Sequence, residues 1–368
     1  MHVLFVGGGT LGSVTPLLAI VEELRDRVHG VRCSWWGTRL GPERAVIAAA
    51  GIPFRAIPSG KFRRYWDLQQ MIDPFRILAA GVVALARLSR DRPDVVVGAG
   101  AFVQVPVMWA ARLLRIPVMI HQQDVRPGLA NKLVAPIAQI ITGVFPAHVV
   151  AFGARPVRIV GNPVRRAMRS MSSISSGQAK QLLGFPPHLP LVLVLGGGTG
   201  AQALNVLAHA AHGVWKQASF LVVTGRGKRV VDPPTPPLGS SSSGGVVTYR
   251  EEEFLDAETL VLAYTAADVV VSRAGMGTVT ELGVLGKVMV LVPMPGTHQE
   301  DNAAAIGMRQ AAVVWKQQEI TPEEFARQIR ALLADPSRGV ALAASAQALF
   351  PAHAATRSTE LLLTLVSE

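Results

Sequence analysis

Two stretches of this chain begin alike: residues 2–10, HVLFVGGGT, and residues 191–199, LVLVLGGGT. Each is a β-rich apolar run that ends in three glycines before a helix-like stretch, so each half is committed to a strand, a tight loop and a helix. Glycines after a strand let the backbone approach a ligand closely, and the helix start that follows offers unpaired N–H groups and a partial positive charge. That chemistry favours phosphate.

Further short apolar runs alternate with amphipathic stretches: VVVGAG (95–100), IPVMIHQQD (116–124), AQIITGV (138–144), FLVVTGRG (220–227), DVVVSRAG (268–275) and VMVLVP (288–293). Continuous runs without alternation suit strands buried on both faces, and their spacing by helical patterns suits parallel sheets. The 368 residues fit two domains of ordinary size. We read two Rossmann-like α/β domains, residues 1–160 and 161–368, with the last helices able to pack back on the first. They join near GNPVRRAMRSMSSISSGQ (161–178), whose Ser-rich part reads as a hinge or linker. DPPTPPLGSSSSGG (232–245) reads as a surface loop, and the stretch from Thr321, with Pro322 in a first helical turn, as helices.

Cys33 is the single cysteine, which excludes an intrachain disulfide; with no Cys/His cluster, it also argues against structural zinc. No N-terminal segment resembles a signal peptide, and no apolar run reaches the length of a membrane span. The net charge of +11 is uneven: residues 1–160 hold 19 basic against 9 acidic residues, and the remainder is nearly neutral. Such a basic half suits nucleic acid, an anionic membrane or a phosphorylated substrate, or is simply a soluble basic surface.

The glycine loops exclude two common readings. GGGTLG (7–12) can be read as G-x-G-x-x-G, but the next strand, RCSWWGT (32–38), ends without an acidic residue for a nicotinamide dinucleotide ribose. Neither loop continues into the Gly-Lys-Ser/Thr of a P-loop. The chain has no Asp-x-Asp to hold a divalent ion for a nucleotide sugar, so helix dipoles and Arg or Lys must meet leaving-group charge. No metal or cofactor is expected.

Seven segments in order, GGGTLGSVTP (7–16), PDVVVGAGAFVQVP (93–106), HQQDVRPGLANK (121–132), GNPVR (161–165), GGGTGAQALN (196–205), SRAGMGTVTE (272–281) and HQEDNA (298–303), resemble the MurG family of peptidoglycan N-acetylglucosaminyltransferases over nearly the whole chain. The resemblance implies a GT-B fold, two Rossmann-like domains with parallel sheets facing across a cleft. It also implies inverting transfer of N-acetylglucosamine from UDP-N-acetylglucosamine to the 4-hydroxyl of a polyprenyl-diphosphate-linked muramoyl acceptor, at the cytoplasmic face of the bacterial plasma membrane.

By that resemblance Glu281 grips the donor ribose, a role suited to a carboxylate accepting two O–H bonds, with an exposed helix-face glutamate as the competing reading. Backbone N–H groups of Ala274, Gly275, Met276 and Thr278, with Thr199 and Gly200 of the second loop, meet the donor diphosphate. Arg165 supplies permanent charge there, against the alternative of an interdomain ion pair. Gln299 and Asn302 read sugar hydroxyls through amides that both donate and accept; Glu300 and Asp301 beside them depart from the family's commoner pattern. Gly9, Thr10, Leu11 and Gly12 face the acceptor diphosphate.

The catalytic half departs further. Where the family's first loop carries a histidine, a candidate for acceptor contact or general base, this chain has Ser13, which by position joins the catalytic set, and Leu11 replaces a glycine. A serine hydroxyl cannot serve as the base near neutral pH. The family's H-E-Q-N becomes His121-Gln122-Gln123-Asp124, so Asp124 or His121 is expected to take the acceptor proton, with a helix cap and a packed core histidine as competing readings.

Residues 59–90 place Lys61, Arg63 and Arg64 beside Phe62, Tyr65 and Trp66 before an apolar helix-like run, suited to an anionic membrane surface, although residues 74–90 also read as core helix. The basic residues are few, interleaved with apolar runs and match no nucleic-acid module, so nucleic acid is not an expected partner. Three alternatives stay open: a related GT-B enzyme with another sugar or lipid, a non-hydrolysing UDP-sugar epimerase, and a binding protein without catalysis.

Overall fold

The structure, a computed structural model, describes residues 1–58, 73–153, 155–169, 174–197, 200–230 and 248–367. The chain divides into two compact units, Met1–Arg165 together with Ala352–Glu368, and Arg166–Pro351.

Unit 1 runs β1 (His2–Val6), α1 (Thr15–Arg27), β2 (Arg32–Gly37), α2 (Glu43–Ala49), β3 (Phe54–Ala56), α3 (Asp73–Asp91), β4 (Val95–Gly98), α4 (Gln104–Leu113), β5 (Val118–Gln122), α5 (Leu129–Val134), β6 (Ile140–Gly143), α6 (Ala147–Ala151) and β7 (Val157–Ile159). Unit 2 runs α7 (Ser176–Leu182), β8 (Leu191–Leu195), α8 (Gln202–Val214), β9 (Ser219–Val223), β10 (Tyr249–Glu252), α9 (Ala257–Ala266), β11 (Val269–Ser272), α10 (Met276–Val284), β12 (Met289–Leu291), α11 (His298–Gly307), β13 (Val313–Val314), α12 (Pro322–Leu333) and α13 (Pro336–Leu349). The last helix, α14 (Ala354–Ser367), belongs to unit 1.

The sheets have orders β3-β2-β1-β4-β5-β6-β7 and β10-β9-β8-β11-β12-β13, and every neighbouring pair is parallel. This is the doubly wound α/β class, twice, as in GT-B glycosyltransferases. β4, β5, β8, β11 and β12 are buried along their whole length, which is why they read as unbroken apolar runs.

In each unit the opening strand lies at the reversal of strand order, β1 between β2 and β4, and β8 between β9 and β11. Ligands of such sheets bind outside the carboxyl ends of the strands at that reversal, and both glycine loops leave their sheets there. In β2, successive residues take opposite faces: Trp35 packs with Phe5, Leu17 and Leu24, and Trp36 with Leu4, Val6 and Met108.

Thr321 caps α12 through Glu324 N (3.2 Å) with Pro322 in the first turn, and Phe325, Ala326, Ile329 and Leu332 form its buried stripe. The Ser-rich stretch ends in a capping box, Ser175 with Gln178, that starts α7, so its last residues are a helix start; its residues 170–173 lie outside the described residues. So do the loop 232–245 and the basic-aromatic cluster Lys61, Phe62, Arg63, Arg64, Tyr65 and Trp66.

Helix α14 packs on α1. Thr356 Oγ1 donates to Glu23 Oε1 (3.0 Å) and Arg27 Nη1 to Glu360 Oε1 (3.1 Å), while Leu362 is wholly buried in the core beneath β1. The ion pair is exposed and contributes little; the leucine dominates. Leu362→Ala is therefore expected to lower unfolding free energy by about 2–4 kcal/mol in chemical denaturation, whereas Glu360→Ala should leave the midpoint nearly unchanged.

Candidate active site

In unit 1 the first glycine loop leads from β1 to α1. Gly9 has φ +83°, a left-handed conformation open to glycine without a Cβ penalty. Gly9, Thr10 and Gly12 are exposed and Leu11 is half-buried, so the loop offers its backbone to solvent. Beneath it lies Glu43, wholly buried. Its carboxylate accepts hydrogen bonds from Gly9 N (3.2 Å), Thr38 N (2.7 Å) and Thr38 Oγ1 (2.5 Å), and a Cβ on Gly8 or Gly41 would overlap it. One N–H of the loop is thus committed to the protein's own carboxylate. Sequence reading missed Glu43, whose only signal was the glycines crowded around it.

Ser13 was expected in the catalytic set, and its position corrects that. It is 7% exposed, and its hydroxyl reaches the carbonyls of Gly8 and Thr10 at 3.5 Å each, the outer limit of a hydrogen bond. Its place is inside the loop, bracing it.

The end of β5 carries the other catalytic candidates. His121 is wholly buried; its Nε2–H donates to Asn162 Oδ1 (2.9 Å) and its Nδ1 accepts from Thr142 Oγ1 (3.0 Å). Burial pushes its pKa down to about 4. Both ring nitrogens are occupied away from solvent, so the expectation of His121 as base is corrected: it ties β5 to β6 and to the GNPVR segment that carries Arg165.

Asp124 is half-buried, and its backbone carbonyl accepts from Gln122 Nε2 (2.7 Å) and His148 Nε2 (2.9 Å). Next to it, Gln123 Nε2 donates to the carbonyl of Gly12 (2.9 Å). The structure therefore brings the first glycine loop and Asp124 together through one side chain.

In unit 2 the second glycine loop follows β8. Gly200 has φ +71°, and a Cβ there would overlap the Thr224 carbonyl, so the loop lies against the end of β9. Lys228 Nζ donates to the Gly200 carbonyl (3.1 Å), a basic contact that sequence reading missed. Thr199 lies outside the described residues.

Helix α10 starts at Gly275 without a side-chain cap, leaving its first-turn N–H groups to other acceptors. Gly275 and Thr278 keep partial exposure, whereas Ala274 is wholly buried and Met276 is 2% exposed. Direct donor contact is thus corrected for Ala274 and Met276, which shape the turn from within. Arg273, also missed, sets this turn: its guanidinium donates to the carbonyls of Val292 (2.9 Å) and Pro293 (3.3 Å) and to Gln317 Oε1 (2.6 Å).

Glu281 is 8% exposed and its Oε2 accepts from Tyr264 OH (3.1 Å); it is a buried carboxylate, not a solvated helix-face residue. Gln299 is half-buried, with Oε1 accepting from Met294 N (3.1 Å). Asn302 is wholly buried and donates Nδ2 to the Ala274 carbonyl (3.1 Å), so the expectation that it reads sugar hydroxyls is corrected: it fastens α11 to the start of α10. Arg165 is half-buried and is the last residue of unit 1 before the chain enters unit 2.

The glycosyltransferase family 28 N-terminal domain matches residues 3–143, and the glycosyltransferase family 28 C-terminal domain matches residues 191–358. The UDP-N-acetylglucosamine–N-acetylmuramyl-(pentapeptide) pyrophosphoryl-undecaprenol N-acetylglucosamine transferase of a Nocardioides species is 35% identical, over 99% of this chain and 98% of its own length. The enzyme of the same name from Paenarthrobacter aurescens is also 35% identical, over 100% and 97%. Among solved structures, Acinetobacter baumannii MurG superposes with a TM-score of 0.72 at 26% identity, covering 99% of both chains. A UDP-GlcNAc 2-epimerase from Neisseria meningitidis, at 16% identity and TM-score 0.68 over 99% of this chain and 100% of its own, shares the fold.

The burial of His121 has a measurable consequence. Its folded-state pKa of about 4 lies below the ordinary 6.5, so the unfolded chain binds the proton first. Its contribution to stability is complete above about pH 6.5 and is lost as pH falls toward 4, by at most about 1.4 kcal/mol per pH unit. Side-chain NMR should find this ring neutral and without titration down to about pH 5; titration near 6.5 would contradict the geometry.

Proposed function

The chain belongs to glycosyltransferase family 28, among its MurG enzymes, and from that premise we propose the roles of its site residues in transferring N-acetylglucosamine from UDP-N-acetylglucosamine to the N-acetylmuramyl-(pentapeptide) pyrophosphoryl-undecaprenol acceptor. The observation that carries the assignment of sides is Glu281, a nearly buried carboxylate within α10, whose uncapped first turn follows β11 beside the strand reversal of unit 2.

Glu281 accepts the ribose hydroxyls of the donor, and the N–H groups at Gly275 and Thr278, with Gly200 of the second loop and the charge of Arg165, meet its diphosphate. Gln299 contacts the transferred sugar. Gly9, Thr10, Leu11 and Gly12 face the acceptor's diphosphate with backbone groups other than the N–H that Glu43 occupies. Asp124 takes the proton of the attacking sugar hydroxyl as that oxygen closes on the anomeric carbon and UDP leaves with inversion. Charge developing on the leaving diphosphate is stabilised by donors already oriented before the reaction, which is where such sites derive most of their rate.

The acceptor's long prenyl chain calls for a membrane surface. Among the described residues no helix is long and apolar enough to cross one. Leu78, Val82 and Leu85 recur on one stripe of α3 and are exposed, as are Trp109 and Leu113 of α4 and Leu129 and Leu133 of α5. With Arg112, Arg115 and Lys132 close by in sequence, these side chains suit the headgroup boundary of an anionic leaflet on the cytoplasmic side.

The decisive assay supplies both substrates and identifies the product: absence of the lipid-linked disaccharide refutes the reading, and turnover of free UDP-sugar alone would favour an epimerase. Asp124→Asn is expected to lower kcat at least about tenfold, and Glu281→Gln to raise donor KM about tenfold with a smaller change in kcat. In flotation with anionic vesicles, Leu78→Ser/Val82→Ser should bind more weakly than the parent protein, and equal binding would remove this face from the membrane contact.

A further inference from the structure

Asp124 is held by its main chain. Its carbonyl oxygen has two lone pairs, and two side chains use them, Gln122 Nε2 at 2.7 Å and His148 Nε2 at 2.9 Å. Because a carbonyl only accepts, His148 carries its proton on Nε2; burial lowers its pKa, so it donates as a neutral ring.

Behind Gln122 runs a chain of side-chain amides with a single direction. Gly100 N donates to Gln104 Oε1 (3.0 Å), Gln104 Nε2 to Asn131 Oδ1 (2.7 Å), Asn131 Nδ2 to Gln122 Oε1 (2.7 Å) and to the His121 carbonyl (3.0 Å), and Gln122 Nε2 to the Asp124 carbonyl. Its orientation is fixed from both ends, since a backbone N–H can only donate and a backbone carbonyl can only accept. Gln104, Asn131, Gln122 and His148 are at most 3% exposed, so water cannot take over a lost contact.

The chain of amides links the loop after β4, the first turn of α4, the middle of α5 and the end of β5. A network that served packing alone could end on any carbonyl. This one converges with His148, which comes from α6, on the peptide of Asp124, a half-buried acidic residue whose neighbour Gln123 is hydrogen-bonded to the first glycine loop.

We propose that the amides of Gln104, Asn131 and Gln122, with the imidazole of His148, form a positioning network that holds the Asp124 peptide and thereby aims its carboxylate at the acceptor hydroxyl. The proposal rests on the reading of Asp124 as the proton acceptor. Only two short torsions separate the carboxylate from its peptide, so a fixed peptide confines the carboxylate to a small arc. A displacement of about 1 Å at such a group costs about a hundredfold in rate.

The four residues are positioning residues, and the test separates their action through Asp124 from a role in folding. Gln122→Glu keeps the size and the oxygen that Asn131 needs, but turns a second oxygen toward the Asp124 carbonyl where a donor stood. It is expected to lower kcat about tenfold to a hundredfold with donor KM within about twofold. The decisive comparison repeats the substitution in an Asp124→Asn background, where it should change kcat by less than about twofold because the group it positions is gone. Equal losses in both backgrounds, or an unchanged kcat in the single variant, would overturn the network while leaving the Asp124 reading intact. Asp124→Asn with less than about a tenfold loss would instead end the Asp124 reading and the network with it. Gln122→Met, of similar volume and without the repulsive oxygen, carries the same comparison should the glutamate variant not fold.

Discussion

Both halves of this protein depend on one topological constraint: each parallel sheet begins in its middle and winds outward in both directions. The helices that follow neighbouring strands then leave on opposite faces, and the carboxyl end of the opening strand is left uncovered. In unit 1 that strand is β1 and in unit 2 it is β8, and each leads through a short glycine-rich loop into a helix. The turn is tight enough that glycine is required at defined places. Gly9 and Gly200 take left-handed conformations, and Gly200 also lies so close to Thr224 that no side chain fits. The site positions follow from the winding, and the glycine loops are its local expression.

A site assembled from loops needs something rigid beneath it, and each unit uses a buried charge held by several hydrogen bonds. Glu43 receives three donors under the first glycine loop, and Arg273 gives hydrogen bonds to three oxygens around the start of α10. A charge removed from water is tolerable only when such partners replace its hydration, and the same partners then fix the geometry of the segments that supply them. Around Asp124 the holding groups are instead neutral amides and a neutral imidazole. That choice leaves the carboxylate at Asp124 without a competing buried charge in the groups that hold its peptide.

The strands that build the two cores were legible as apolar runs because burial on both faces forbids alternation. The edge strands β3, β7, β10 and β13 were not, since they are two to four residues long and β10 reads Tyr-Arg-Glu-Glu, with no apolar period to detect. At the site, the glycine loops after β1 and β8 were legible from residue type and order. His121, Asn302 and Ser13 were misread for a common physical reason. A polar side chain suited to a ligand is equally suited to a carbonyl or an amide of its own protein, and only three-dimensional placement decides between them. Glu43, Gln104 and Asn131 went unseen for the complementary reason, being single polar residues in ordinary helical sequence whose partners are distant along the chain.

With Asp124 as the proposed proton acceptor, a carboxylate stands where an imidazole would be the stronger base, and this changes what the rest of the site must supply. A carboxylate is by its chemistry a weaker base than an imidazole, so less of the driving force for proton removal is available before the acceptor oxygen begins to bond with the anomeric carbon. Proton transfer must then follow carbon–oxygen bond formation, when the hydroxyl proton has become acidic, and a base that acts late has to be in place throughout. On the proposed reading, rate is recovered through alignment instead of basicity. The bracing of the first loop by Ser13, the bridge from Gln123 to Gly12 and the amide run ending at Asp124 all act on that alignment. On that reading, the serine in the first loop and the hydrogen-bonded hold on the Asp124 peptide belong to one arrangement.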